Sequence, residues 1–315
     1  YQWLYRSSHF MGSVVQGALS AIDIALWDIK GKRLQVPVFD LMGGKTRDKV
    51  RCYMHVGSGD LGSAADLAND ALNAVNQGFT AVRFTPFSSD YYLHKSYSEW
   101  ADEAVNRVAA VRETVGPDVD ICVEIHRQMN PAESIALGRR LEEFNPFFYE
   151  DPMLPDSPAI MGEVAAKCNI PIATGERLHS IHEFQMLLSR GAVQYIRPDV
   201  CLAGGITHTK KIAAIAEANY VEVVPHNPLG PVSTAACLQI AAAIPNFAIQ
   251  EYPLGELEPP KSEIVNKPLE LEDGFLLIPD APGIGIEILE GAEEKFPAIQ
   301  REVKTRLHRD GSVFD

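Results

Sequence analysis

The sequence lacks features that would indicate a membrane or a nucleic-acid-binding protein. It has no run of about eighteen apolar residues, so we expect no transmembrane helix and no membrane partner. Its 28 lysines and arginines are outnumbered by 42 aspartates and glutamates. The resulting formal charge of −14 argues against a nucleic-acid partner, which requires a basic face. An anionic small molecule stays compatible with this charge, because a bound cation can reverse its sign locally.

Cysteine is scarce and shows no pattern. The five residues are odd in number, and no Cys-X-X-Cys motif occurs; they are Cys52, Cys122, Cys168, Cys201 and Cys237. Most stand in apolar surroundings, so we interpret them as buried thiols of a protein from the reducing cytoplasm. Hydrophobic residues make up 46 % of the 315 positions, which is enough for a large core.

An acidic or imidazole side chain follows each of six short apolar runs between residues 119 and 252. These side chains are Glu124, Glu150, Glu176, Asp199, His226 and Glu251, and the intervals between them are 26, 26, 23, 27 and 25 residues. One strand, one helix and two short loops occupy about this length. The pattern therefore predicts an α/β fold, a (β/α)8 barrel in which the strand ends converge on one face, where active sites of this fold lie. The alternative is a set of unrelated surface acids.

The remaining segments are assigned around this repeat. We predict helices over residues 64–76 and 131–141, strand two over residues 81–84 and the last strand over residues 247–250. Residues 1–49 form an N-terminal helical segment, with helical spacing from Ser13 to about Arg33; residues 50–252 form the barrel, and residues 253–315 a tail of strands and loops. The aromatic-rich loop Thr85 to Tyr97 is either a lid or a surface and subunit contact. Because the chain starts at Tyr1 without an initiator Met, we expect an N-terminal portion to be missing from it.

Three consecutive predicted strands end in a glutamate. Glu124, Glu150 and Glu176 would repel one another at a common rim unless a divalent cation lies among them. All-oxygen ligation selects a hard ion, with Mg²⁺ the first choice and Mn²⁺ possible.

The two histidines in the repeat suit proton transfer. Glu124 and His126 are two apart on the predicted strand, so their side chains face the same side. Asp199 and His226 end neighbouring strands, where the carboxylate would fix the tautomer of the imidazole and raise its basicity. Glu251 would complete the ring and, if protonated, could donate to a developing oxyanion. The set suits removal of a proton from the carbon next to a carboxylate, assisted by a divalent ion.

Several motifs resemble the mandelate racemase branch of the enolase superfamily, and particularly its sugar-acid dehydratases. They are Ala18-Leu-Ser-Ala-Ile-Asp-Ile-Ala-Leu-Trp-Asp-Ile-Lys-Gly-Lys, Tyr149-Glu-Asp-Pro, Gly175-Glu-Arg, Arg197-Pro-Asp, Ala203-Gly-Gly-Ile-Thr and Pro225-His-Asn-Pro-Leu-Gly-Pro. The resemblance implies a modified (β/α)8 barrel whose N-terminal α+β capping domain is largely absent from this sequence. It implies a cytoplasmic enzyme, expected to be a homo-oligomer, that dehydrates an aldonate such as galactonate or gluconate to a 2-keto-3-deoxy acid.

The resemblance also implies a role for each site residue. Mg²⁺ would lie on the three glutamates, His226 with Asp199 would be the base at C2, His126 the acid for the departing 3-hydroxyl, and Glu251 would lie near the substrate carboxylate. Arg83 and Arg177 would bind the substrate. Racemases and several dehydratases of this family carry Lys-X-Lys at the end of strand two, where this chain has Arg83-Phe-Thr, and arginine cannot serve as a base at ordinary pH. Mannonate dehydratase, sugar-acid epimerase and catalytically silent sugar-acid binder remain as alternatives.

Overall fold

The computed structural model describes residues 1–7, 12–57, 62–88, 95–300, 307 and 310–313. The chain divides into two compact units. The first comprises Tyr1–Met54 and Ala173–Ala292, and the second comprises His55–Ile172 and Glu293–Asp315.

Helices and short strands alternate along the chain. The helices are α1 Gln2–Ser7, α2 Ser13–Leu34, α3 Val38–Leu41, α4 Ala64–Asn76, α5 Tyr97–Val115, α6 Pro131–Leu141, α7 Pro158–Ala165, α8 Ile181–Leu188, α9 Gly205–Glu217, α10 Pro231–Ala243 and α11 Ala292–Lys295. The strands are β1 Lys49–His55, β2 Ala81–Phe84, β3 Asp120–Glu124, β4 Phe148–Glu150, β5 Ile172–Thr174, β6 Tyr195–Ile196, β7 Glu222–Val223, β8 Gln250–Tyr252, β9 Leu271–Glu272 and β10 Phe275–Leu277. Short 3₁₀ turns follow at Glu142–Phe144 and Lys261–Glu263.

In the second unit, β2, β3 and β4 are parallel neighbours. Their register pairs Arg83 with Cys122 and Glu124 with Glu150, so the two glutamates leave adjacent strands at the same level. Side-chain caps define where the helices of this unit begin: Ser63, Ser96 and Asn130 each accept a hydrogen bond from the backbone three residues on, in reciprocal capping boxes.

In the first unit, two groups of strands hold the remaining site residues. The strands β5, β6 and β7 are parallel, and an isolated parallel bridge joins Asp199 to His226 just beyond β6 and β7. The strand β1 pairs in parallel with β8, which sets Tyr53 opposite Glu251. On its other side β1 pairs with β10, so the predicted tail does contain strands.

Helix α2 is fastened to the rest of the first unit by polar contacts. Trp27 Nε1 donates to Thr207 Oγ1 at 2.7 Å, and the Asp28 carboxylate accepts a hydrogen bond from the backbone N–H of Ile284 at 2.9 Å. A side chain at Gly31 would place its Cβ 2.8 Å from Gly283 Cα. The two backbones therefore approach so closely that only glycine fits at position 31.

Two expectations about strand ends were wrong. The strand β3 stops at Glu124, and His126 lies beyond it with a left-handed φ of 52°, so alternation along a strand does not decide where His126 points. The last predicted strand, Phe247 to Gln250, lies instead at Gln250–Tyr252, so Glu251 is a strand residue rather than the first residue after it.

The other described features agree with the composition. All five cysteines are free thiols, and four of them are buried. No helix in the described part of the chain is long and apolar enough to cross a membrane.

Candidate active site

His226 and Asp199 form a hydrogen-bonded pair in the first unit. Nδ1 of His226 lies 2.9 Å from Oδ2 of Asp199, while Oδ1 of the same carboxylate accepts the backbone N–H of Cys201 at 2.7 Å. The carboxylate is therefore held in place through both of its oxygens. Because a carboxylate only accepts hydrogen bonds at neutral pH, Nδ1 carries the proton and Nε2 keeps its lone pair.

Charge around His226 favours a basic imidazole. Burial acts to lower the pKa of His226, but the hydrogen bond to Asp199 and the charges of Glu251 and Glu176 act against it, and the pKa is raised overall from its usual value. Nε2 of His226 lies 3.5 Å from Oε2 of Glu176. The predicted base and one predicted metal ligand are thus neighbours.

Glu251 is held by a buried arginine. Oε2 of Glu251 accepts from Arg197 Nη2 and from the backbone N–H of Asn227, each at 2.7 Å. Arg197 Nη1 donates in turn to the Tyr53 hydroxyl at 2.7 Å, and Arg197 itself is fully buried. A guanidinium stabilises an ionised carboxylate, so the structure does not favour the protonated Glu251 that donation to an oxyanion would require.

Glu124 and Glu150 share an arginine in the second unit. Arg83 Nε and Nη2 donate to the two oxygens of Glu150 at 2.7 and 3.0 Å, and Nη2 also contacts Oε2 of Glu124. Nη1 lies 3.1 Å from the His55 ring. Both carboxylates are buried, at 2 % and 0 % exposure. The predicted substrate contact of Arg83 stays a prediction; in the structure its guanidinium engages protein side chains.

The donor set fits a hard divalent ion. Oε1 of Glu124 is buried and finds no hydrogen-bond partner within the described residues. No group of three metal-ligating side chains is assembled in the part of the chain that the structure describes. Ligation by Glu124, Glu150 and Glu176 therefore stays a prediction, supported by the type and burial of the carboxylates.

His126 lies in a short left-handed segment of the second unit. Residues 126 and 127 have φ values of 52° and 61°, and the backbone N–H of Arg127 donates to the carbonyl of Asp151 at 2.8 Å. Arg127 Nη1 lies 2.9 Å from His126 Nε2. Because a guanidinium only donates, His126 is neutral in this arrangement, with its proton on Nδ1.

Some contacts were not predicted from the sequence. Five residues that lie beside predicted ones in the structure were not predicted to belong to the site: Tyr53, His55, Arg127, Arg197 and Asn227. The sequence offered a signal for two of them, because Arg197 and Asn227 stand in the motifs that contain Asp199 and His226. Arg177, predicted to bind substrate, is exposed.

Half of the predicted lid loop lies outside the described residues, namely residues 89–94. At its ends, Phe87 packs edge-on against Trp100 with ring centroids 5.2 Å apart, and the Tyr97 hydroxyl donates to the carbonyl of Glu133 at 3.2 Å. These two aromatic residues serve helix packing.

Comparison with known proteins gives consistent matches along the chain. The family "Enolase C-terminal domain-like" matches residues 50–292, and the family "Mandelate racemase / muconate lactonizing enzyme, N-terminal domain" matches residues 2–43. The chain is 36 % identical over 324 residues to a D-galactonate dehydratase of Variovorax paradoxus, covering 100 % of this chain and 83 % of the relative.

Two further similarities extend this result. A D-gluconate dehydratase of Thermoproteus tenax is 35 % identical over 305 residues, which are 96 % of this chain and 61 % of that protein. The structure of an enolase from Agrobacterium radiobacter with bound sodium and L-malate is 34 % identical, with a TM-score of 0.90 and coverage of 99 % of this chain and 82 % of that one. The matches confirm the predicted fold class.

Proposed function

The chain belongs to the mandelate racemase branch of the enolase superfamily, and from this premise we propose that it is a magnesium-dependent dehydratase of an aldonate such as galactonate or gluconate. The product would be the 2-keto-3-deoxy acid. One observation of the structure carries the proposal: the 2.9 Å contact between His226 Nδ1 and Asp199 Oδ2, which leaves a basic nitrogen on the other side of the ring. The relatives named for galactonate and gluconate suggest the substrate class.

His226 would remove the proton from C2. Its Nε2 takes the proton, while Asp199 holds the imidazolium that results and keeps the ring from rotating. The electron pair of the broken C–H bond moves towards the substrate carboxylate. It then returns to form a C2–C3 double bond as the C3–O bond breaks, and the resulting enol tautomerises to the 2-keto acid by losing its hydroxyl proton and gaining a proton at C3.

His126 would protonate the departing hydroxyl. In the structure it is neutral and accepts from Arg127, so it must take up a proton before it can act as an acid. This step requires Arg127 to leave Nε2, which links the acid role to a movement of one guanidinium.

Glu124, Glu150 and Glu176 would hold the Mg²⁺, with Mn²⁺ as a substitute. When bound, the ion supplies positive charge for the substrate carboxylate and for the charge that develops there. Glu251, ionised by Arg197, would orient the adjacent backbone: its carboxylate accepts the N–H of Asn227, the residue after the proposed base.

Deuterium exchange tests the base directly. With substrate and Mg²⁺ in D₂O, wild-type protein should replace the C2 hydrogen by deuterium or eliminate water across C2 and C3. In His226→Asn the rate of both reactions should fall by at least about 1000-fold, because no other group replaces Nε2. His182→Asn, which changes an exposed histidine of the same unit, is the matched control and should exchange at the wild-type rate. Unchanged exchange in His226→Asn would remove this residue as the base.

A substrate screen tests the reaction class. A stereochemically complete set of hexonates and pentonates is incubated with Mg²⁺ and followed by proton NMR. We expect a 2-keto-3-deoxy acid from at least one aldonate. A product that keeps its C3 hydroxyl would identify an epimerase, and binding without turnover under any divalent ion would identify a silent binder.

A further inference from the structure

The contacts of Arg83 are unusual for a residue beside predicted metal ligands. Its guanidinium grips Glu150 with two hydrogen bonds of 2.7 and 3.0 Å and at the same time contacts Glu124. Bidentate arginine–carboxylate pairs are among the strongest ion pairs between side chains, and burial protects this one from solvent. The arginine therefore uses the same oxygens that a divalent ion would need.

We infer that Arg83 is a resident counter-cation of the site: it holds Glu124 and Glu150 together in the metal-free protein and competes with the divalent ion for their oxygens. This inference rests on the proposed function, since the competing ion is the one proposed there.

The charges explain why a counter-cation is needed. The register places Glu124 and Glu150 side by side on β3 and β4, and both are buried. Two adjacent buried carboxylates destabilise a fold unless a cation lies between them. Arg83, on the neighbouring strand β2, pairs with Cys122, two residues before Glu124, and supplies that cation from within the unit.

The same contacts predict a cost for metal binding. The ion must displace the guanidinium from at least one carboxylate, and a site whose competent form is only partly populated binds with a correspondingly weaker apparent affinity. Oε1 of Glu124, which has no partner among the described residues, offers the entry point. Glu150, gripped through both oxygens, is the carboxylate that Arg83 holds most firmly.

The first test measures Mn²⁺ affinity without any turnover. Electron paramagnetic resonance titration at pH 8 should give a dissociation constant at least about tenfold lower for Arg83→Met than for wild type, because the competitor has been removed. Mg²⁺ should also raise the melting temperature of Arg83→Met more than that of wild type. An equal or weaker Mn²⁺ affinity in Arg83→Met would overturn the inference and assign Arg83 to pre-arranging the ligands.

Arg112→Met is the matched control. Arg112 belongs to the same unit, but its guanidinium donates to the backbone carbonyls of residues 116, 119, 144 and 145. This variant should lose stability without any change in Mn²⁺ affinity. A tenfold change in Arg112→Met as well would overturn the inference, because the effect would then come from general loosening of the unit.

A second pair of variants keeps the test decisive if Arg83→Met does not fold. In EDTA, Glu124→Gln should melt at or above the wild-type temperature, because Arg83 and Glu150 then form a neutral pair. Glu150→Gln should melt lower, because it takes away the doubly bonded partner. Equal losses in the two variants would overturn the inference.

The failure of this inference can be told apart from failure of the proposed function. Wild-type protein that binds Mn²⁺ and dehydrates an aldonate, together with an unchanged affinity in Arg83→Met, overturns only the role of Arg83. Wild-type protein that binds no Mn²⁺ overturns both.

Discussion

At the scale of single residues, Asp199 decides which nitrogen of His226 is basic. Its carboxylate accepts from Nδ1 at 2.9 Å and is itself fixed by the N–H of Cys201. In Asp199→Asn the amide group can donate to Nδ1, which stabilises the opposite tautomer and puts the proton on Nε2.

We therefore expect Asp199→Asn to lower kcat by about 100- to 10,000-fold. Steady-state formation of the 2-keto acid gives the rate, and a Mn²⁺ titration should show affinity within about twofold of wild type if the damage is confined to the base. A loss of activity smaller than tenfold would mean that Asp199 does not control the tautomer.

The Arg197–Glu251 pair makes a prediction about stability. Both side chains are buried, and Arg197→Met would leave Glu251 without its cation. Removing one partner of a buried ion pair costs about 3–5 kcal/mol, and urea unfolding should show this loss. The double variant Arg197→Met/Glu251→Leu should be more stable than the single one, because no unpaired charge remains. Additive losses would show that the pair is not coupled.

Contacts between individual side chains were harder to predict from the sequence than the helices and strands. The spacing of strand ends was enough to select Asp199 and His226, whose pairing follows from neighbouring strands. The contact of Arg83 with Glu124 and Glu150 joins residues 41 and 67 positions apart, and no local pattern announces a competition between a guanidinium and a metal ion. The backbone at His126 likewise left the strand geometry on which its predicted direction depended.

At the scale of elements, helix α9 begins without a side-chain cap of its own. Its N-cap is Gly204, and the missing acceptor comes from α2: Asp23 Oδ2 accepts the N–H of Thr207 at 2.9 Å. Asp23 is buried, and burial raises its pKa from the usual value while the hydrogen bonds to Thr207 oppose this. The motif around Asp23 therefore fastens one helix to the start of another.

Asp23→Ala should destabilise the protein by about 1–2 kcal/mol, the usual cost of a lost N-cap. Urea unfolding measures this loss, and hydrogen exchange at the Thr207 amide should accelerate because that group loses its acceptor. Asp70→Ala, an exposed acid of α4, is the control and should change stability by less than about 0.5 kcal/mol. Unaltered exchange at Thr207 would contradict the capping role.

Most elements could be predicted from the sequence because local signals agreed. The bounds Ala64–Asn76, Ala81–Phe84 and Pro131–Leu141 match the predicted ones, and each helix among them follows a capping residue. The last strand was misplaced because Ala248 and Ile249 continue the apolar run, whereas the pairing of β8 with β1 begins at Gln250. Pairing between distant strands, rather than local hydrophobicity, fixes that boundary.

At the scale of the whole molecule, a buried histidine links global stability to pH. His208 on α9 is 3 % exposed; its ring centroid lies 5.2 Å from that of Tyr1 and its Nδ1 lies 3.1 Å from the carbonyl of Ala203. Burial lowers the pKa of His208 from 6.5 to about 4, and the positive charges of Lys211 and His182 add to this, while the Ala203 carbonyl and Glu183 oppose it.

The sign of the effect follows from proton binding. Between pH 6.5 and 4 the unfolded chain takes up a proton at residue 208 that the folded chain does not, so the contribution is complete above pH 6.5 and is lost as the pH falls towards 4. At pH 4.5 the loss should reach about 2 kcal/mol, after allowance for partial solvent screening.

His208→Gln keeps a hydrogen-bond donor and does not titrate, so the difference in unfolding free energy between wild type and this variant should shrink by that amount from pH 7.5 to 4.5. Because carboxylates titrate in both proteins, only this difference isolates His208. Parallel stability curves for wild type and His208→Gln would mean that the histidine is protonated as readily in the folded chain as in the unfolded one.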